Sequence, residues 1–211
     1  MIQPKIVEDY LEKGSFFDIY EEEDFYLTNR LLKGEFLEDQ EIRHPMIEKT
    51  IFDHMTFSNC QFEKIELTDV IFKGCDLSNC TLDEASLYRV EFRNCKLVGT
   101  NLDQSYLNNV EFNNCLMDMS VLNRMNLKNV NFINTSLKDV SFNENKLKKT
   151  IFDNCELNKM NLLGTELKGI DFSSCRFESI DIDEFSAKGL KVNSDQANFF
   201  ARYFLGLVIK Y

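Results

Sequence analysis

Apolar residues recur along this chain at a step of five. From Phe52 to Ile182 there are 27 successive positions at that step, each occupied by Phe, Leu, Met or Ile. Neither the 3.6-residue period of an amphipathic helix nor the period of two of a half-buried strand produces it. Two residues before each of these centres the chain is small or apolar, as at Val70, Cys75, Cys80, Ala85, Val90, Cys95 and Thr100, with Asn145 the clear exception. The other three of each five are polar or charged, apart from a few such as Ile71, Ile133 and Leu163. Two inward and three outward residues per five describe one side of a coil wound around a narrow, dry core.

A longer period gives the number of sides. Every twentieth residue from Phe52 is phenylalanine through Phe172, and Leu67, Leu87, Leu107, Leu127, Leu147 and Leu167 form a second pure column. A step of fifteen mixes Phe52, Leu67, Leu82, Leu97 and Phe112. Like residues stack on like at the strand spacing of ~4.8 Å when rungs of a β-ladder lie in register. The expected fold is therefore an all-β solenoid, a four-sided β-helix of about eight coils with twenty residues per turn, and chirality favours a right-handed winding.

The ends of the repeat set the expected organisation. Upstream, Leu27, Leu32, Leu37, Ile42 and Ile47 keep the phase, but the small inward sites become Arg30, Glu35, Gln40 and Pro45. Residues 1–26 read as an acidic N-terminal cap with a short helix, and 27–192 as the β-helix. Residues 193–211 read as a C-terminal helix capped by Asn193 or Ser194, followed by a short β-like tail, LVIKY. The helix carries two apolar faces, more than one coil end can bury.

Charge and cysteine content narrow the function classes. The chain has 35 acidic and 24 basic residues and a net charge of −11, which disfavours nucleic acid as a direct ligand. Residues 1–48 hold 13 of the acidic side chains and 5 of the basic ones, including the run Glu21, Glu22, Glu23 and Asp24. No apolar run reaches the ~18 residues of a membrane span, and no signal-peptide pattern opens the chain, so a cytoplasmic protein is expected. All seven cysteines occupy the small inward position. None forms the close pairs that metal sites use, and their odd number argues against disulfides. They read as buried free thiols.

The faces differ in charge. The one centred on Phe62, Leu82, Leu102 and Leu122 displays Glu63, Asp83, Glu84, Asp103, Glu144, Asp181, Asp183 and Glu184 against Lys64 and Arg124. The next stacks Lys128, Lys148, Lys168 and Lys188, with Lys146 and Lys149 beside them. Glu63, Asp83 and Asp103 recur at one rung apart, near the carboxylate separation of retaining glycosidases. They project from a flat wall with no insertion to build a cleft, and no nucleophile elbow, phosphate loop or cofactor motif accompanies them. The chain reads as a binder rather than an enzyme.

Repeats such as CDLSN, TNLDQ and MNLKN resemble those of the pentapeptide-repeat proteins over roughly residues 27–192. The C-terminal segment is similar to the tail of the Qnr quinolone-resistance proteins, in which a coil leads into an apolar helix. Asp195, Gln196, Ala197, Leu205, Gly206, Val208 and Ile209 carry that likeness. The length and acidic N-terminus look like a chromosomal member from a Gram-positive bacterium. The resemblance implies a homodimer joined through Phe199, Phe200, Tyr203, Phe204 and Leu205. It also implies DNA mimicry, with the acidic face binding DNA gyrase, and topoisomerase IV as a second target, to give quinolone resistance. A scaffold for a different protein partner is the alternative. Family members with loops that interrupt the coil differ from this chain, whose phase from 52 to 182 leaves no room for one.

Overall fold

A computed structural model describes residues 1–21 and 23–210. Glu22 of the acidic run and the last residue of the expected tail, Tyr211, lie outside the described residues. The body is a parallel β-solenoid. Five eight-residue strands, Met46–Asp53, Glu66–Lys73, Ser86–Arg93, Tyr106–Asn113 and Asn126–Ile133, pair in parallel with a register of twenty: Leu67 lies against Leu87, Leu87 against Leu107, and Phe72 against Phe92. Isolated bridges at the same register, such as Asp76 to Lys96 and Thr81 to Asn101, carry the other faces.

Each long strand covers two faces by turning a corner at a residue with positive φ. Asp69 (φ 57°), Arg89 (54°), Asn109 (58°) and Asn129 (53°) sit at successive corners of one edge. The same conformation recurs two residues after nearly every centre, where Asn, Asp and Gly abound. These residues tolerate the left-handed region best, which explains their place in the repeat.

The core is a set of like-on-like stacks. Phe52, Phe72, Phe92, Phe112, Phe132 and Phe152 lie face to face at 4.7–5.1 Å, with ring planes within 11°. Phe172 turns edge-on to Phe152 (85°), where the continuous ladder has given way to isolated bridges. Leu147 is only half-buried, because residues 166–168 no longer continue the strand above it.

The small inward residues have a second role beyond filling space. Cys75 Sγ donates to the carbonyl of Phe52 at 3.4 Å, Thr100 Oγ1 to Leu77 at 2.8 Å, Ser120 Oγ to Leu97 at 2.7 Å and Thr135 Oγ1 to Phe112 at 3.2 Å. Each reaches the carbonyl of the centre residue in the preceding coil, which at Leu77 and Leu97 also accepts the turn N–H of Cys80 and Thr100 at 3.2 Å, so the polar atoms of the inward residues are paired inside a dry core. All seven thiols are free and buried, and each makes such a contact. Cys75, Cys80 and Cys155 are pushed well up, first by the stacked thiol beside each and then by burial, and stay protonated as donors. Asn145, the exception in the pattern, obeys the same rule. Its Nδ2 donates to Leu122 O at 2.8 Å, and its Oδ1 accepts from Met125 N at 2.7 Å.

Both ends depart from the expected organisation. The cap contains two short 3-10 helices, Glu8–Tyr10 and Phe16–Tyr20, and Glu12–Lys13 already pairs with Arg30–Leu31. Phe16 and Ile19 plug the first coil, Phe16 lying 5.6 Å from Phe62 and 5.8 Å from Phe57. Glu35, a polar residue at an inward site, accepts from Ser15 Oγ and Phe16 N and so pins that plug. At the other end a one-turn helix, α1 (Glu184–Ala187), follows the last centre, Ile182, within the stretch to 192 that was expected to continue the β-helix. The C-terminal helix, α2, spans Ser194–Leu205 with Asn193 as its cap and Gly206 (φ 62°) closing it. Residues 206–210 form no strand, in contrast to the expected β-like tail; Leu207 N instead donates back to Ala201 O of α2 at 3.4 Å.

Candidate partner-binding surfaces

The eight carboxylates expected on one face fall into three groups. Glu63 pairs with Arg43 at 3.4 Å and Lys64 at 3.7 Å, Glu84 pairs with Lys64 at 3.4 Å, and Asp103 is clamped by Arg124. These cations neutralise the N-terminal half of the strip apart from Asp83; Arg43 was not counted by the pattern, because it belongs to the imperfect first coil. Asp183 serves the fold. It caps α1 through Ser186 N (2.8 Å) and Ser186 Oγ (2.7 Å) and accepts from Gly164 N at 3.0 Å. The bond from Gly164, followed by those from Ser186, holds its carboxyl down to about 2. Asp83, Glu144, Asp181 and Glu184 form no ion pair among the described residues. Three of these four, Glu144, Asp181 and Glu184, lie in the C-terminal half, and Asp83 is the exception in the N-terminal half. On the adjoining face Lys128, Lys146, Lys148, Lys149, Lys168 and Lys188 are all exposed.

Pairs of this exposed kind contribute little to stability, since solvent screens them. Their consequence is to shape the field a partner meets.

At the C-terminal end α2 closes the open coil. Phe199 and Phe200 pack on Phe177 at 5.4 and 6.0 Å. Gln196, buried, donates from Nε2 to the carbonyls of Phe172 and Cys175, both at 2.8 Å. It supplies the donor that the inward residue of a further coil would have given. This capping role was missed in the sequence, although Gln196 was already among the residues matched to the Qnr tail. The five residues expected to join two copies do not share one face. Phe199, Phe200 and Phe204 are half-buried against the coil end, while Tyr203 and Leu205 point outward. Leu190, Val192, Phe200, Ala201, Phe204 and Leu205 line an apolar groove of about 430 Å³, with Leu207 and Val208 exposed beyond it.

The chain matches the family model for the pentapeptide repeat region over residues 65–141 and 125–198. It belongs to the pentapeptide-repeat family. No curated protein sequence matches the chain. Among solved structures it is similar to HetL, a pentapeptide repeat protein involved in heterocyst differentiation regulation in the cyanobacterium Nostoc sp. strain PCC 7120. The two are 17% identical with a TM-score of 0.38, over 79% of this chain and 86% of that one. It is also similar to full-length QnrB1, a plasmid-mediated fluoroquinolone resistance protein, at 18% identity and a TM-score of 0.31, over 84% of this chain and all of that one. A pentapeptide repeat protein from the cyanobacterium Cyanothece 51142 gives 14% identity and a TM-score of 0.26, over 77% and 91%. No helix among the described residues is long and apolar enough to cross a membrane.

Proposed function

We propose that this protein is a dimeric binding rod that occupies the DNA-binding surface of a type II topoisomerase, DNA gyrase first and topoisomerase IV second, and so confers quinolone resistance. The observation that supports this most is a straight, four-sided rod bearing one carboxylate-rich face along its length. The ring stack rises 4.7–5.1 Å per coil. Eight coils at ~4.8 Å make ~38 Å, and two copies end to end make roughly 75 Å. A duplex of about 20 base pairs has the same length at ~3.4 Å per step. An enzyme surface that receives such a duplex is basic along that length, and a rigid rod is steered onto it by charge and held by shape. The apolar C-terminal end joins the two copies, which places Glu144, Asp181 and Glu184 toward the middle of the assembled rod.

Charge reversal tests this reading. Replacing Asp83, Glu144 and Asp181 together by lysine is expected to weaken binding to purified gyrase by about tenfold or more, because these groups meet the enzyme unpaired. Replacing Lys128, Lys148 and Lys168 by glutamate should change it by less than about threefold. Equal effects from the two triple variants would mean that the acidic strip is only solvated surface.

A further inference from the structure

Residues 2–8 lie as a strap along one edge of the rod, held by corner residues two coils apart. Ile2 N donates to Asn109 Oδ1 at 2.8 Å, and Lys5 N donates to Asp69 Oδ1 at 2.8 Å. Glu8 closes the strap on Lys73 at 3.4 Å. Asn109 and Asp69 are two coils apart, about 9.6 Å, and three extended residues cover about 10 Å, so the rung spacing matches an extended peptide. Between them Arg89 is fixed by both oxygens of Asp69 at 2.5 Å and lies 4.0 Å from the centre of the Tyr88 ring. The track is fixed before anything docks on it, and its corner residues take main-chain N–H groups.

Burial marks the same stretch. Outward-pointing Ile51, Ile71 and Glu91 are 2%, 8% and 3% exposed, whereas Ile151, in the same column beyond the strap, is 52% exposed. Within the strap, Pro4 and Ile6 are half-buried. Two main-chain bonds and one exposed ion pair hold a segment of seven residues, a weak attachment beside the ladders below it.

We propose that the track formed by Asp69, Arg89 and Asn109, with the apolar floor of Ile51 and Ile71, is a binding site for an extended peptide segment of a partner protein. Residues 2–8 are its resident competitor. The ligand carries two apolar residues two positions apart and a carboxylate two positions further on, the pattern of Pro4, Ile6 and Glu8. Sequence outside that pattern is read only through its N–H groups, as in other recognition by added strands. The strap lowers the apparent affinity of the site by the fraction of time it is seated.

A fluorescein-labelled peptide of residues 2–10 tests this by anisotropy against the full chain. In the protein variant Lys5→Pro with Ile6→Asp, the strap lacks one donor and carries a charge over the apolar floor. That variant is expected to bind the peptide at least about tenfold more tightly than the unaltered protein. Adding Asn109→Gly, which keeps the positive φ and removes the acceptor together with a donor to Asn108 Oδ1, should reverse most of the gain. A peptide with Lys5→Pro should bind poorly. Equal binding by the unaltered and strap-released proteins, or none by a strap-released protein that still melts cooperatively, would overturn the proposal. Should that variant not fold, hydrogen exchange on the unaltered protein decides. The amides of Ile2 and Lys5 should exchange at least about 100-fold faster than those of Leu107 and Leu127. Exchange of all four only at the rate of global unfolding would overturn it.

Discussion

Phe112→Ala is expected to cost about 3–5 kcal/mol and to lower the melting temperature by on the order of 10 °C. The ring is buried between Phe92 at 4.8 Å and Phe132 at 5.1 Å, with planes within 8°. Truncation removes both faces of contact and opens a cavity that the ladders above and below prevent from collapsing. Each coil touches only its neighbours, so the damage is also a weakened link in a one-dimensional stack. Urea unfolding should therefore show a second transition as the two halves lose their coupling. Phe36, whose ring is exposed, supplies the control; Phe36→Ala should move stability by less than about 0.5 kcal/mol. Equal losses from the two would show that the phenylalanine column does not carry the core.

The second large effect concerns assembly. Leu205 is 69% exposed and lies beside the apolar groove at the coil end, with Tyr203 also outward. In the proposed dimer, Leu205→Asp costs the isolated fold little and puts two carboxylates close together across the two-fold axis, one from each copy. The protein is expected to change from dimer to monomer by light scattering at about 10 μM, a concentration at which an interface of standard size is fully formed. Deleting residues 195–211 would be a poorer test. It also removes Gln196, which leaves the carbonyl of Cys175 unpaired and takes one of two donors from that of Phe172, so unfolding and dissociation would be confounded. An unchanged mass for Leu205→Asp would place any self-association elsewhere.

The solenoid was legible because its two periods, five and twenty, are imposed by geometry at every coil. Leu67 must face Leu87, and Phe72 must face Phe92, so the sequence repeats what the ladder repeats. What the pattern hid was polar. The inward Cys, Thr and Ser residues look like small fillers, and only the carbonyls they reach reveal them as donors. Asn145 looked like a fault for the same reason. The corner conformation was also readable, from Asn, Asp and Gly two residues after each centre, although the polarity of the outward positions masked it.

The ends were harder, since they lack the repeat. Nothing in the period forecasts that α1 replaces a strand at Glu184, or that Asp183 is spent on its cap. The strap was hard to see because Ile2 and Lys5 are bound through their main chain, which leaves no mark in their own side chains. Its trace lay in the corners: Ile51 and Ile71 are apolar at outward positions, a departure that the pattern contained without its cause. Of the acidic strip, the carboxylates and the cations Lys64 and Arg124 were legible, and the fold added Arg43 and the pairings that neutralise three of the eight.

The claim that this rod takes the place of DNA on a topoisomerase is tested most directly by competition. Labelled protein bound to purified gyrase is titrated with linear duplex DNA and followed by anisotropy. The account predicts that DNA displaces the protein completely, and that excess protein reciprocally prevents DNA binding. Simultaneous binding of both to gyrase, or no binding of the protein at all, would contradict it.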